Sequence, residues 1–234
     1  MLTECDALLG QISRAGLHFF GAFEFELGLC RKGEEHFVGR QGLLVGNAGP
    51  RLWSVFSQSE EYLDGLPDPM NRWTARVLRQ ISSDHFLDPP VFPFDEPYWP
   101  FQRMLAAATG MRQSPLGLFI HPEFGLWQAV RGVLVLPQDR KFVIPDSALA
   151  DIFERQNHPC DVCKTKPCLS ACPVDAFDGK SLSVASCHAH LSLDHGPRCM
   201  TLGCRARDAC PVGSQHRYDS GQVQFHMKAY GPKP

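Results

Sequence analysis

The sequence predicts an α+β protein in two parts, a mixed helix-and-strand domain over residues 1–150 and a small cysteine-rich domain over 151–234. Three observations carry this. Helical and strand periodicities interleave along the first 136 residues. Eight of the ten cysteines fall between Cys160 and Cys210. The composition, 44% hydrophobic and 21% charged, is that of a chain with a sizeable core.

The elements follow in order. Residues 2–16 carry Leu8, Leu9 and Ile12 at helical spacing. "LHFFGAFEFEL" alternates apolar and acidic positions around Phe23, Phe25 and Leu27, as a strand does. "GLLVGNAGP" reads as a buried strand entering a turn, and Pro50 as the first residue of the helix "PRLWSVFSQSEEYL". Asp68 is placed to cap "DPMNRWTARVLRQI", with Trp73, Val77 and Ile81 on one face. "DPPVFPFDEPYWPF" is rich in proline and aromatics and reads as an ordered loop packed on something, a ligand included. The helix "FQRMLAAAT" and two strands, "LGLFIHP" and "WQAVRGVLVLP", follow. A connector over residues 137–159 contains one helix, around "DSALADIFERQ".

The net charge of −2 comes with no basic block, so nucleic acid is not an expected partner. No stretch has the apolar length of a membrane span. Glu4 and Asp6 stand where a secretory leader carries positive charge, so a cytoplasmic location is expected. In a reducing compartment, clustered cysteines favour a metal site over disulfides. Cys5 and Cys30, outside the cluster, read as ordinary apolar residues.

The cysteines form two runs. The first is Cys160-x2-Cys163-x4-Cys168-x3-Cys172-Pro173, and the second is Cys187, then Cys199-x4-Cys204-x5-Cys210-Pro211. Two Cys-Pro endings and eight thiols fit two 4Fe-4S clusters in a bacterial-ferredoxin-like domain, since thiolates are the soft ligands iron–sulfur cubanes take. In that pattern the cysteine before proline crosses to the other cluster. Cys160, Cys163, Cys168 and Cys210 would then hold one cluster, and Cys172, Cys187, Cys199 and Cys204 the other. Two structural zinc sites are the alternative. The x4 gap between Cys163 and Cys168 is longer than standard, which leaves cluster type and partition open, a three-iron cluster included. With eight thiols present, His158, His188, His190, His195 and His216 are expected at the surface or in hydrogen bonds.

A cluster domain of this kind needs only some 60 residues, so the preceding 150 are expected to hold what receives the electrons. Here the sequence resembles known families. "ASCHAHLSLDHG" followed by "CMTLGCRARDACP" is similar in layout to the C-terminal cluster region of epoxyqueuosine reductases, and "LAAATGM" and "GLWQAVRGVLVL" look like that family's pocket helix and strand. "FIHPEFGLWQAVRGVLVLP" resembles cobalamin-processing proteins of the CblC type over His121, Pro122, Phe124, Gly125, Trp127, Ala129, Arg131, Gly132 and Val133. The likeness is thin over residues 40–136, good over 118–136, and good in cysteine layout over 158–211.

The resemblance implies a flavin-nitroreductase-like sheet (an α/β sandwich) binding a corrinoid, with the clusters as its electron relay. It implies His121, Phe124, Gly125, Trp127 and Arg131 as cofactor contacts; Tyr98 and Trp99, with neighbouring aromatics, suit the wall of a large apolar pocket. Asp95 or Glu96 aligns roughly with the catalytic acid of epoxyqueuosine reductases, although "FPFDEPYWP" departs from that family's motif. Four-iron clusters reach roughly −700 mV, enough to reduce cobalt. The expected reaction is reduction of cobalamin or removal of its upper ligand, or a cobalamin-dependent reduction of a small-molecule substrate. An external donor, a flavodoxin, ferredoxin or reductase, would feed the clusters. Two alternatives stand beside this: a ferredoxin-type electron-transfer protein with no cofactor pocket of its own, and an FMN-dependent reductase.

Overall fold

The computed structural model describes residues 4–143, 158–193 and 197–232. These form two compact units, residues 4–110 with 129–143, and residues 111–128 with 158–232. The second unit thus draws residues 111–128 from within the stretch the sequence assigns to the first. The connector helix expected around "DSALADIFERQ", and His195, lie outside the described residues.

The first unit is mixed α+β. Its helices are α1 (Glu4–Arg14), α2 (Arg51–Phe56), α3 (Glu60–Leu63), α4 (Pro69–Asp84) and α5 (Phe101–Thr109). Its strands β1 (His18–Glu24), β2 (Gln41–Ala48), β3 (Asp88–Val91) and β4 (Gln128–Val135) form one sheet in the order β1-β2-β4-β3. β1 runs antiparallel to β2, and β3 to β4. Leu136 N–H donates to Gln41 O, while Gly46 abuts the Ala129 carbonyl, so β2 and β4 are antiparallel as well. Residues 42–47 of β2 are all buried, which covers both faces of this central strand. Leu8 and Ile12 of α1, Trp73, Leu78 and Ile81 of α4, and Met104 of α5 are buried in the core together with Leu43, Val45, Val133 and Val135 of the central strands.

Local expectations differ from the structure at four places. The segment read wholly as a proline-rich loop contains β3, whose Pro89 and Pro90 are tolerated because β3 is an edge strand with few ladder bonds to donate. The helix expected from Pro50 breaks into α2 and α3: Pro50 stands just before α2 instead of inside it, and Ser59 caps α3, its hydroxyl accepting from Tyr62 N–H. Asp68 precedes α4 but sits at φ 51° with no capping bond from its side chain. Arg72 of α4 instead bonds Asp64 through both Nη atoms at 2.7 Å, fastening the loop before the helix. "LGLFIHP" forms no strand: Gln113–Phe119 and His121–Gly125 are isolated bridges closing two tight turns, with Gly117 and Gly125 both at positive φ.

The second unit is built from short helices, α6 (Pro159–Val162), α7 (Pro167–Ser170), α8 (Val184–Leu191), α9 (Pro197–Leu202), α10 (Arg205–Asp208) and α11 (Ser220–Tyr230). One apolar cluster joins Leu116, Ile120 and Leu126 to Cys168, Ala206 and Cys210. A second joins Trp127 to Tyr218 and Val223. Arg207 locks the two: its guanidinium lies 4.4 Å from the Trp127 ring centre and 4.6 Å from that of Tyr218. It donates to Leu126 O from Nε at 3.1 Å and from Nη2 at 2.7 Å. No described helix is long and apolar enough to cross a membrane.

Candidate metal centre

Proline starts the helices that carry the first thiols. Pro159 and Pro167 open α6 and α7, where a missing N–H costs nothing, so Cys160 and Cys168 each sit in a first helical turn. Cys160, Cys163, Cys168 and Cys210 together line one cavity, whose other walls include Pro159, Pro167, Ile120, Leu126, Val212 and Lys166. Cys160 feels the charge of Cys210, Cys168 and Cys163, and Cys210 that of Cys168 and Cys163.

The remaining four thiols gather separately. Cys172 follows α7, Cys187 lies in α8, Cys199 in α9, and Cys204 is the residue preceding α10. Cys199 feels Cys172 and Cys187, and Cys204 feels Cys187 and Cys172. For Cys160, Cys168, Cys187, Cys199, Cys204 and Cys210, every neighbouring thiol that acts on the charge is a member of the same set. All ten cysteines are free thiols, with Cys5 buried and Cys30 half-buried in the first unit. Among the described residues no group of three or more His, Cys, Asp or Glu side chains is gathered tightly enough to hold a single metal ion.

Backbone amides point at these sulfurs. Ala176 N–H donates to Cys172 Sγ at 3.3 Å. Amides of Ala206 and Arg207 bond Cys204, that of Arg205 bonds Cys199, that of Leu169 bonds Cys168, and that of Val212 bonds Cys210. Two side chains lie beside them in the second set. The Tyr230 ring stands edge-on to His188 of α8 with centroids 5.1 Å apart, and His190 Nε2 lies 3.7 Å from Cys199 Sγ.

Burial pushes the thiols of Cys168, Cys187, Cys199, Cys204 and Cys210 upward, and Cys160 to about 11, with the neighbouring thiols adding to the rise. The amides act in the opposite sense. As bare groups the thiols resist ionisation, whereas a cationic metal core would reverse that balance and deprotonate them. Four sulfurs around a cavity, fed by amide donors, fit an iron–sulfur cluster on both counts.

The other residues singled out in the sequence are spread over both units. In the first, Asp95 Oδ2 accepts from Phe92 N–H at 2.8 Å and closes a turn, and Glu96 Oε1 accepts from the exposed Tyr98 hydroxyl at 3.0 Å. Trp99 is buried against Phe25 and Phe37, with the Arg31 guanidinium 4.8 Å from its ring centre. Arg131 on β4 donates from Nε to Asn47 Oδ1 on β2 at 3.0 Å. A polar groove of about 840 Å³ also follows α4, lined by Asn71, Arg72, Arg76, Arg79 and Phe94.

In the second unit, His121 is buried and its Nδ1 accepts from the amides of Glu123 and Phe124 at 3.1 and 3.2 Å. Phe124 packs edge-on against His216 at 4.7 Å, and Trp127 against Tyr218 at 5.3 Å. His158, also buried, lies 3.3 Å from Arg112 O, and Arg112 pairs with Asp161 at 2.8 Å. Sequence reading missed Tyr230 and Arg207. Tyr230 follows the last cysteine by twenty positions on a helix without thiols, and Arg207 looks like any charged residue of a short turn.

No family model matches this chain, and no curated protein matches it.

Proposed function

We propose that this chain is an iron–sulfur oxidoreductase that carries two 4Fe-4S clusters on its thiol-rich unit and passes their electrons to a corrinoid held by the sheet unit. One observation carries the reading: the eight clustered thiols sort into two sets of four, each with backbone amides directed at its sulfurs. Cys160, Cys163, Cys168 and Cys210 would hold one cluster, and Cys172, Cys187, Cys199 and Cys204 the other. The clusters would supply one-electron reduction at low potential. The chain itself excludes water with Ile120, Leu126 and Val212 and fixes the sulfurs with its amides.

The corrinoid part rests on the resemblance over residues 118–136. Of the residues it implies, Tyr98 keeps an exposed ring and Arg131 is half-buried. His121, Gly125, Trp127 and Trp99 are buried in internal packing. That packing favours a second reading, an electron-transfer protein whose motif braces the cluster unit instead of lining a cofactor pocket.

Two measurements on anaerobically purified protein separate these. Iron and acid-labile sulfide near about eight each per chain support two cubanes, whereas zinc in their place overturns the relay. Loss of the base-on visible spectrum on titration with cobalamin supports the corrinoid reading. An unchanged spectrum with full clusters leaves the electron-transfer reading, and release of FMN on heating points to a flavin reductase.

A further inference from the structure

α8 brings an imidazole to the second thiol set along with its cysteine. Cys187 and His190 stand three residues apart on this helix, hence on one face, and Leu191 beside His190 is buried. His190 Nε2 lies 3.7 Å from Cys199 Sγ on α9, a helix that packs against α8. His188 takes another direction, its ring standing edge-on to Tyr230 of α11. Cys199 is buried and His190 half-buried, so little water competes for that sulfur.

The chemistry of a loaded site fixes which atom donates. A cluster-bound cysteine is a thiolate, which accepts and has no hydrogen to give, so the proton sits on His190 Nε2. A separation of 3.7 Å is within reach of sulfur, whose radius exceeds that of oxygen, and the negative charge on the sulfur strengthens the bond.

We infer that His190 tunes the second cluster: its Nε2–H donates to the Cys199 thiolate, stabilises the reduced, more negative state and raises the potential. This rests on the two-cluster reading above. Reduction adds one electron, supplied by the external donor protein or, in a titration, by dithionite. A hydrogen bond to a ligand sulfur offsets the charge that electron brings, which is why such bonds are among the factors that set cluster potential. Ala176 N–H, 3.3 Å from Cys172 Sγ, acts in the same sense on another sulfur of the set. That donor belongs to the backbone, so a substitution at position 190 leaves it in place.

The test is a dithionite titration of the full, anaerobically purified chain followed by electron paramagnetic resonance, with iron counted in the same samples. In His190→Leu one of two midpoints should move to lower potential while the other stays, with iron unchanged. His190→Gln, whose amide Nε2 can donate from nearly the same place, should bring that midpoint back toward the unsubstituted value. Two unmoved midpoints at full iron overturn the inference and leave the two-cluster reading intact. A drop that His190→Gln fails to reverse also overturns it, since lost packing then accounts for the change. Unsubstituted protein without two reducible clusters defeats the reading itself. If His190→Leu holds less iron, protein with isotopically labelled histidine nitrogen decides the matter. One reduced cluster should then show a weak nitrogen hyperfine coupling that His190→Gln removes. No coupling, or one that survives the substitution, sinks the inference.

Discussion

Gly125 and Val212 meet backbone against backbone: a Cβ on Gly125 would lie 1.9 Å from the Val212 carbonyl oxygen. The approach is reciprocal, because a Cβ on Gly213 would lie 2.3 Å from the Phe124 carbonyl carbon. The turn at residues 121–125 is therefore clamped on the strand of chain that leaves Cys210, and the two glycines, both at positive φ, make that contact possible.

Gly125→Ala should unsettle this clamp. Positive φ alone costs about 1–2 kcal/mol for a residue with a Cβ, and the backbone overlap raises the total to about 4 kcal/mol. Gly117, also at positive φ but with nothing within 4 Å of its Cβ position, is the control. Thermal unfolding should show a large loss for Gly125→Ala and a loss of about 1 kcal/mol for Gly117→Ala. Iron content should fall in the first variant only.

Single Cys→Ser changes should report the two sets. Cys172→Ser, although it lies in the first sequence run, should remove the same paramagnetic signal as Cys199→Ser. Cys210→Ser should remove the signal that Cys160→Ser removes. Loss of signals by sequence run, Cys172 with Cys168, would refute the partition.

Arg207→Lys should cost about 2 kcal/mol, since a lysine ammonium cannot lie flat between Trp127 and Tyr218 or bond Leu126 O through two nitrogens. Denaturant unfolding of the anaerobic protein measures it. A change below about 0.5 kcal/mol would show that the stack contributes little.

Acid should destabilise the first unit through His18. Burial, with Arg51 nearby, lowers its folded value from 6.5 to about 4. Between those values the unfolded chain binds the proton and the folded one does not, so stability present above pH 6.5 declines as pH falls toward 4. The loss amounts to about 3 kcal/mol at most. Glu61 and Asp64, held low by Arg76 and Arg72, add losses at lower pH still. His18→Gln should flatten the stability profile between pH 6.5 and 4, and an unchanged slope would place the acid sensitivity elsewhere.

Much of the first unit is legible in local pattern. The apolar spacing of Leu8 and Ile12, of Trp73 and Ile81, and the buried run of β2 each follow from what a helix stripe or a two-sided strand must bury. The failures sit where pairing decides. Pro89 and Pro90 read as loop because nothing local says that β3 lies at the sheet edge, and "LGLFIHP" alternates like a strand yet finds no partner beyond isolated bridges.

The sequence by itself determined the number of clustered thiols, their two Cys-Pro endings and the α+β character of the chain, since these depend on residue type and near neighbours. Only the tertiary structure decided that residues 111–128 belong with the thiol-rich segment and that Arg207 reaches Leu126. That last contact joins positions 81 residues apart. Its existence depends on how short helices cross and pack, which no local periodicity encodes.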